Sequence, residues 1–132
     1  MDRVRLYDDV VPTVNTLRAK GIKTAVLTTV PSWLFTHVLR ENKIKMDFIC
    51  TAREAKAVKP NPKIYKCVLK TLHVKPEEAL MVGDTPEIDI IPPKKLGMKA
   101  VMLCRDRVTK VKQADYVIHS LTELPNIIQK FT

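Results

Sequence analysis

Glycine is scarce in this chain, with three residues among 132. The scarcity goes with an absence of glycine-rich signatures: no G-x-G-x-x-G fingerprint, P-loop or G-x-S-x-G elbow is present. Aromatic residues make up only 5%, and no RNA-binding aromatic signature or zinc-finger spacing occurs. The three cysteines, Cys50, Cys67 and Cys104, are odd in number and far apart. They form no CxxC pair, so they read as small buried thiols rather than a disulfide framework or zinc site. His37, His73 and His119 fit no metal-ligand spacing either. No apolar run approaches the roughly 18 residues of a membrane span. Met1-Asp2-Arg3 does not lead into a signal-peptide core, so a cytoplasmic location is expected.

What is present is a globular composition, 45% hydrophobic and 28% charged, on a length that suits one domain over residues 1–132. The formal charge is +9. Lys94, Lys95, Lys99, Arg105, Arg107, Lys110 and Lys112 concentrate part of it. A polyanion partner is one reading of that charge. A solvated basic face is the favoured one, given so few aromatics, and a small anionic substrate also suits it.

The apolar pattern alternates between helix and strand. Val10, Val14 and Leu17 have helical spacing, with Pro12 in a first turn and Gly21 at the stop. Residues 22–28, IKTAVLT, read as a strand, and Thr29 is placed to cap a helix opening at Pro31. DFICT, residues 47–51, is a second strand. Asn61-Pro62 is a cap and first-turn pair ahead of the stripe Ile64, Tyr65, Val68, Leu69 and Leu72. ALMVGD is a third strand, and Pro92-Pro93 must shorten or kink the helix before Gly97. KAVMLC and ADYVIHS are further strands, and LTELPNIIQKF closes the chain as a short helix. Strands separated by helices predict a parallel sheet covered on both faces, with ligands beyond the strands' carboxyl ends.

Three polar signals fall at or near such ends. Asp84 ends the strand LMVGD, and Asp89 follows five positions later. Two carboxylates so placed can converge on a hard cation such as Mg²⁺, which keeps waters and adds substrate phosphate. They can equally be a turn aspartate and a helix-capping aspartate. Lys59, in VKPNPKIY, is held in a defined turn where its ammonium could neutralise a phosphate, or it is a surface lysine. Thr28 could donate to a phosphate oxygen or bond the backbone.

Taken in order, these pieces resemble the haloacid dehalogenase-like hydrolase superfamily. GIKTAVLTT is similar to its second motif, VKPNPKIY to its third and MVGDTPEIDI to its fourth. The resemblance runs from about Leu6 to the C-terminus. It implies a three-layer Rossmann-like α/β fold. It implies Mg²⁺ held by Asp84 and by Asp89, directly or through water. It implies Thr28 and Lys59 as the catalytic residues, on the transferring phosphoryl group. Thr29, where asparagine is common, joins them in holding phosphate. The Gly83-Asp84 pair favours a metal-dependent phosphatase acting on a small phosphorylated substrate over a true dehalogenase.

The family's first motif, Asp-x-Asp, supplies the nucleophile and has no match here. Asp8-Asp9 are adjacent rather than alternate and lie just before the helix leading to Thr28. The expectation is therefore a core truncated N-terminally, without the nucleophile strand or cap. The family places that strand between those ending at Thr28 and Asp84, so its loss leaves two open edges. RVRLY at residues 3–7, a homodimer partner, a separate chain or direct pairing is expected to close the gap. Two other readings are a non-catalytic phosphate-binding module and, less favoured, a basic nucleic-acid-binding domain.

Overall fold

The computed structural model describes residues 6–105 and 112–131. Arg107 and Lys110 of the basic stretch, and the first three residues of RVRLY, lie outside this range. Five strands and six α-helices are described: α1 (Val10–Ala19), β1 (Ala25–Leu27), α2 (Ser32–Glu41), β2 (Phe48–Cys50), α3 (Ala52–Ala55), α4 (Pro62–Leu72), β3 (Leu80–Gly83), α5 (Ile91–Lys95), β4 (Lys99–Leu103), β5 (Tyr116–Ile118) and α6 (Leu124–Gln129). Every pairing is parallel, as the βαβ pattern requires. β1 pairs with β2 and β3–β4–β5 form a second ladder, but no pairing joins β1 to β3 among the described residues. Direct pairing of these two edges, one of the expected closures, does not occur.

Alternation along the strands divides the core between two faces. Val101 and Ile118 pack with Leu17 of α1 and with Leu124 and Ile127 of α6. Ala100, Met102 and Cys104 face the other way, against Ile90. On the smaller ladder, Val26 and Ile49 meet Phe35 and Leu39 of α2 together with Val10 and Val11 of α1. Leu27 and Cys50 meet Ile64 and Tyr65 of α4, and Met81 of β3 joins that same cluster. So α1 crosses both ladders on one face and α4 crosses both on the other. These two helices hold the interrupted sheet together as a three-layer Rossmann-like α/β fold.

Local chemistry accounts for most element ends. Gly21 takes a φ of +79°, which ends α1 cheaply. The Asn61 side chain accepts from the Lys63 N–H at 3.0 Å, with Pro62 in the first turn of α4. α5 is five residues long and carries Pro92-Pro93 in its first turn, the shortening those prolines impose. The expected Thr29 cap on α2 does not form: α2 has Pro31 at its N-cap and no side-chain cap. Thr28 is the hydroxyl engaged there, accepting from the Val30 N–H at 3.0 Å. The sequence reading also missed α3, although Thr51 and Glu54 form a capping box at its start. Cys50 and Cys104 are buried and Cys67 half-buried, all with free thiols. Among the described residues no helix is long and apolar enough to cross a membrane.

One polar clamp fixes α1 to the distant end of the chain. Asp9 accepts from the Arg105 guanidinium at 2.8 and 3.1 Å, from the Ser120 hydroxyl at 3.2 Å and from the Leu121 N–H at 2.9 Å. The Asp9 side chain is only 11% exposed, and Arg105 also stacks 3.8 Å from the Tyr7 ring centroid. The Arg105 bonds are the main reason that the Asp9 carboxyl is lowered from 3.8 to about 2. A lowered carboxylate pKa stabilises the fold above its unfolded value and ceases to do so as pH falls through the folded value. Asp9→Asn should therefore lower stability by about 1–3 kcal/mol at neutral pH. Urea unfolding of both proteins should show the difference constant above pH 4 and shrinking between pH 4 and pH 2.

Candidate active site

All five strand ends emerge at one edge, because a parallel sheet carries each chain segment in the same direction. Thr28 and Thr29 follow β1, Thr51 follows β2, Asp84 follows β3, Arg105 follows β4 and Ser120 follows β5. A pocket of about 380 Å³ opens there, lined by Thr28, Thr29, Pro31, Thr51, Ala52, Arg53, Val58, Lys59 and Ile64. The two threonines and Lys59 are thus brought together, although they lie some thirty positions apart in sequence. Thr51 and Arg53 are additional polar lining that the sequence reading missed. Their only signal was the T-x-x-E box opening α3.

The carboxylate pair forms beside this pocket. After Gly83 the chain makes a π-helical turn over Pro86–Ile90 that folds Asp89 back against the strand end. Asp89 is buried, while Asp84 is exposed. The Asp89 carboxylate accepts from the Thr85 N–H at 3.1 Å, and Asp84 accepts from the Thr85 hydroxyl at 3.0 Å. The turn is pinned from α4, where the Tyr65 hydroxyl donates to the Ile88 carbonyl. Burial of that hydroxyl pushes the Tyr65 pKa up to about 12, with a further contribution from Asp89.

Gly83 is what lets Asp89 lie so close. A Cβ at position 83 would sit 2.1 Å from the Asp89 carboxyl carbon and 2.1 Å from one of its oxygens. Burial raises the Asp89 pKa, opposed by the Thr85 N–H and the Lys59 charge and reinforced by the Asp84 charge. Lys59 thus lines the pocket, and its charge favours the ionised form of Asp89. Two carboxylates that share Thr85 as a partner, one of them buried, are a donor set that a hard divalent cation fits, with waters and a phosphate oxygen completing its shell. Among the described residues no cluster of three or more His, Cys, Asp or Glu side chains is present, so two protein carboxylates are the donors at hand.

Asp9 is not part of this pair. Its carboxylate is turned to Arg105, Ser120 and Leu121. Arg105, held in that clamp, in turn feels the charge of Asp84. Nothing in the local sequence signalled this clamp, because its partners lie some hundred residues apart.

A family model described as haloacid dehalogenase-like hydrolase matches residues 1–103. The glyceraldehyde 3-phosphate phosphatase of Methanocaldococcus jannaschii is 31% identical over 96% of this chain and 58% of its own length. Pyrophosphatase PpaX of Bacillus mycoides is 30% identical over 96% of this chain and 61% of its own length. The chain thus spans about three-fifths of these relatives. The crystal structure of a HAD phosphatase from Thermococcus onnurineus superposes with a TM-score of 0.84 at 34% identity, over 94% of this chain and 58% of that one. A 2-haloacid dehalogenase from Pseudomonas syringae has the same fold, with a TM-score of 0.82 at 24% identity.

The contact at Gly83 gives a direct test of how the pair is built. Gly83→Ala should expel Asp89 from the strand end and cost about 1–3 kcal/mol of stability in urea denaturation. Asp89→Ala removes the obstructing carboxylate. In that background the added methyl should cost much less.

Proposed function

This chain belongs to the haloacid dehalogenase-like hydrolase family, and from that premise we propose that it provides the phosphate- and metal-binding side of an Mg²⁺-dependent phosphatase. The observation that carries this reading is the position of Lys59. It lines the pocket with Thr28 and Thr29, and its charge acts on Asp89, which shares Thr85 as a partner with Asp84. A phosphate in the pocket would lie next to the carboxylate pair. The relatives named above include one phosphatase of glyceraldehyde 3-phosphate and one pyrophosphatase. A small phosphorylated substrate is the class this site suits.

The chain's own residues take distinct parts. Thr28 Oγ1 accepts from the Val30 N–H, which fixes the oxygen and leaves the hydroxyl proton to be donated to a phosphoryl oxygen. Thr29 offers a second hydroxyl. The Lys59 ammonium offsets the charge on the transferring group, and the Arg53 guanidinium adds a second cation at the rim. Asp84 and Asp89 would hold Mg²⁺, which when bound polarises a phosphoryl oxygen.

Hydrolysis also needs an attacking oxygen. In the proposed reaction a carboxylate oxygen attacks phosphorus, the ester P–O bond breaks, and its electron pair leaves with the alcohol oxygen, which is protonated. Water then cleaves the acyl phosphate, restoring the carboxylate and releasing inorganic phosphate. Asp9 is committed to Arg105 and is a poor candidate for the attack. The attacking carboxylate is therefore expected from a segment outside the residues described here. The residues described here bind phosphate without turning it over. That makes a non-catalytic phosphate-binding role the second reading, favoured by the engagement of Asp9.

Two assays test the site. Inorganic phosphate binding, followed by ³¹P NMR, should need Mg²⁺ and weaken at least about tenfold in Lys59→Ala and in Asp84→Asn. Hydrolysis of an aryl phosphate by the isolated chain should stay at the level of Asp84→Asn. Phosphate binding indifferent to Lys59 would overturn the reading. Salt-sensitive DNA or RNA binding that ignores Asp84 would put the basic nucleic-acid-binding alternative in its place.

A further inference from the structure

The pocket beyond β1 and β2 holds two cations and no counter-charge. None of its nine lining residues is acidic, and Lys59 and Arg53 are both among them. The nearest acid in sequence, Glu54, is spent on its own helix. Both of its carboxylate oxygens lie 2.9 Å from the Thr51 hydroxyl, and one also accepts from the Thr51 N–H at 3.1 Å. Arg18 is paired with Asp47 and Arg105 with Asp9. The Arg53 guanidinium, by contrast, has no ion pair or side-chain hydrogen bond among the described residues.

Backbone geometry sets the two cations apart. β1 and β2 are paired with Leu27 opposite Cys50, and the Thr28 N–H bonds to the Cys50 carbonyl. Thr28 and Thr51 therefore leave the sheet side by side, about 5 Å apart, the spacing of paired strands. Arg53 lies two residues further on, fixed at the start of α3 by the bond its N–H gives to Thr51 Oγ1 at 3.2 Å. Lys59 instead acts on Asp89, beyond β3. A phosphoryl group held by Thr28 and Lys59 thus leaves Arg53 about one strand spacing away. At about 380 Å³ the pocket has the size of a small-molecule site, more than one phosphoryl group fills. Its lining next to the two cations is apolar. Ala52 precedes Arg53, Val58 precedes Lys59, and Val58 is 66% exposed. Carbon is a better neighbour than water for that side chain.

We propose that the substrate is a small phosphomonoester whose leaving group carries a second anion, carboxylate or phosphate, and that Arg53 binds this anion while a short carbon chain lies on Val58. The planar guanidinium offers paired N–H donors to either group. Arg53 is then the residue that selects the leaving group, whereas Lys59 serves every phosphoryl group alike. The assignment rests on the phosphatase reading above.

Phosphonates test it without turnover, because a P–C bond replaces the cleavable ester. Phosphonopropionate and ethylenediphosphonate carry a second anion, and propylphosphonate does not. In ³¹P NMR titrations of the whole chain with Mg²⁺, at least one of the first two should bind at least about tenfold more tightly than propylphosphonate. Which of them does so tells carboxylate from phosphate. Arg53→Gln should weaken that probe at least about tenfold more than it weakens propylphosphonate. Lys59→Ala should weaken all the probes to a similar extent. Equal binding of all the probes by the unaltered chain would overturn the assignment, as would a preference that survives Arg53→Gln. Equal weakening of all the probes by Arg53→Gln would overturn it too, placing Arg53 on the phosphoryl group itself. In each of these cases the loss of affinity in Lys59→Ala would still uphold the phosphatase reading. Binding that needs neither Mg²⁺ nor Lys59 would remove that reading and the assignment with it.

Discussion

The constraint on which everything else depends is the common direction of five parallel strands. A parallel ladder cannot be closed by a tight turn, so each strand is followed by a crossover that returns the chain to the same starting edge. The strand ends accumulate at the opposite edge, where Thr28, Thr51, Asp84 and Arg105 are delivered without being near one another in sequence. The pocket, the carboxylate pair and the Asp9 clamp all occupy that edge. The site is a consequence of topology before it is a consequence of any single residue.

The same topology explains why an interrupted sheet still holds together. Among the described residues sheet hydrogen bonding stops between β1 and β3, so cohesion passes to side chains. α4 bridges the two ladders by packing Ile64 and Tyr65 against Leu27, Cys50 and Met81, and the Tyr65 hydroxyl reaches the Ile88 carbonyl. α1 bridges the opposite face with Val10 and Val11 on one ladder and Leu17 on the other. Its first turn is tied down by Asp9 to Arg105, Ser120 and Leu121. Apolar burial is non-directional and can span a gap that backbone hydrogen bonds cannot.

Much of the fold was legible because periodicity reports burial. The stripe Ile64, Tyr65, Val68, Leu69 and Leu72 gave α4, and Asn61-Pro62 marked its start. Pro92-Pro93 foretold the short α5. Thr29 misled, because a threonine before a helix is a common cap and only the backbone path shows that Thr28 bonds to Val30 instead. α3 was overlooked because four residues carry too little pattern to be seen. Thr28, Lys59, Asp84 and Asp89 were singled out as candidates by the order and spacing of motifs. Arg53 and Thr51 were not, since no motif marks pocket lining.

By itself the sequence determined the alternation of strands and helices, the parallel arrangement that follows from it and the residue types able to meet a phosphate or a hard cation. Those properties are local: period, cap chemistry and the side chain at a strand's last position. Only the tertiary structure decided that Gly83 leaves room for the Asp89 carboxylate, that Lys59 acts on Asp89 as well as lining the pocket, and that Asp9 is spent on Arg105. Only it showed that among the described residues no ladder joins β1 to β3. The physical reason is distance along the chain. Electrostatics and close packing act through space, and these partners meet only after the crossovers have brought the strand ends to one edge.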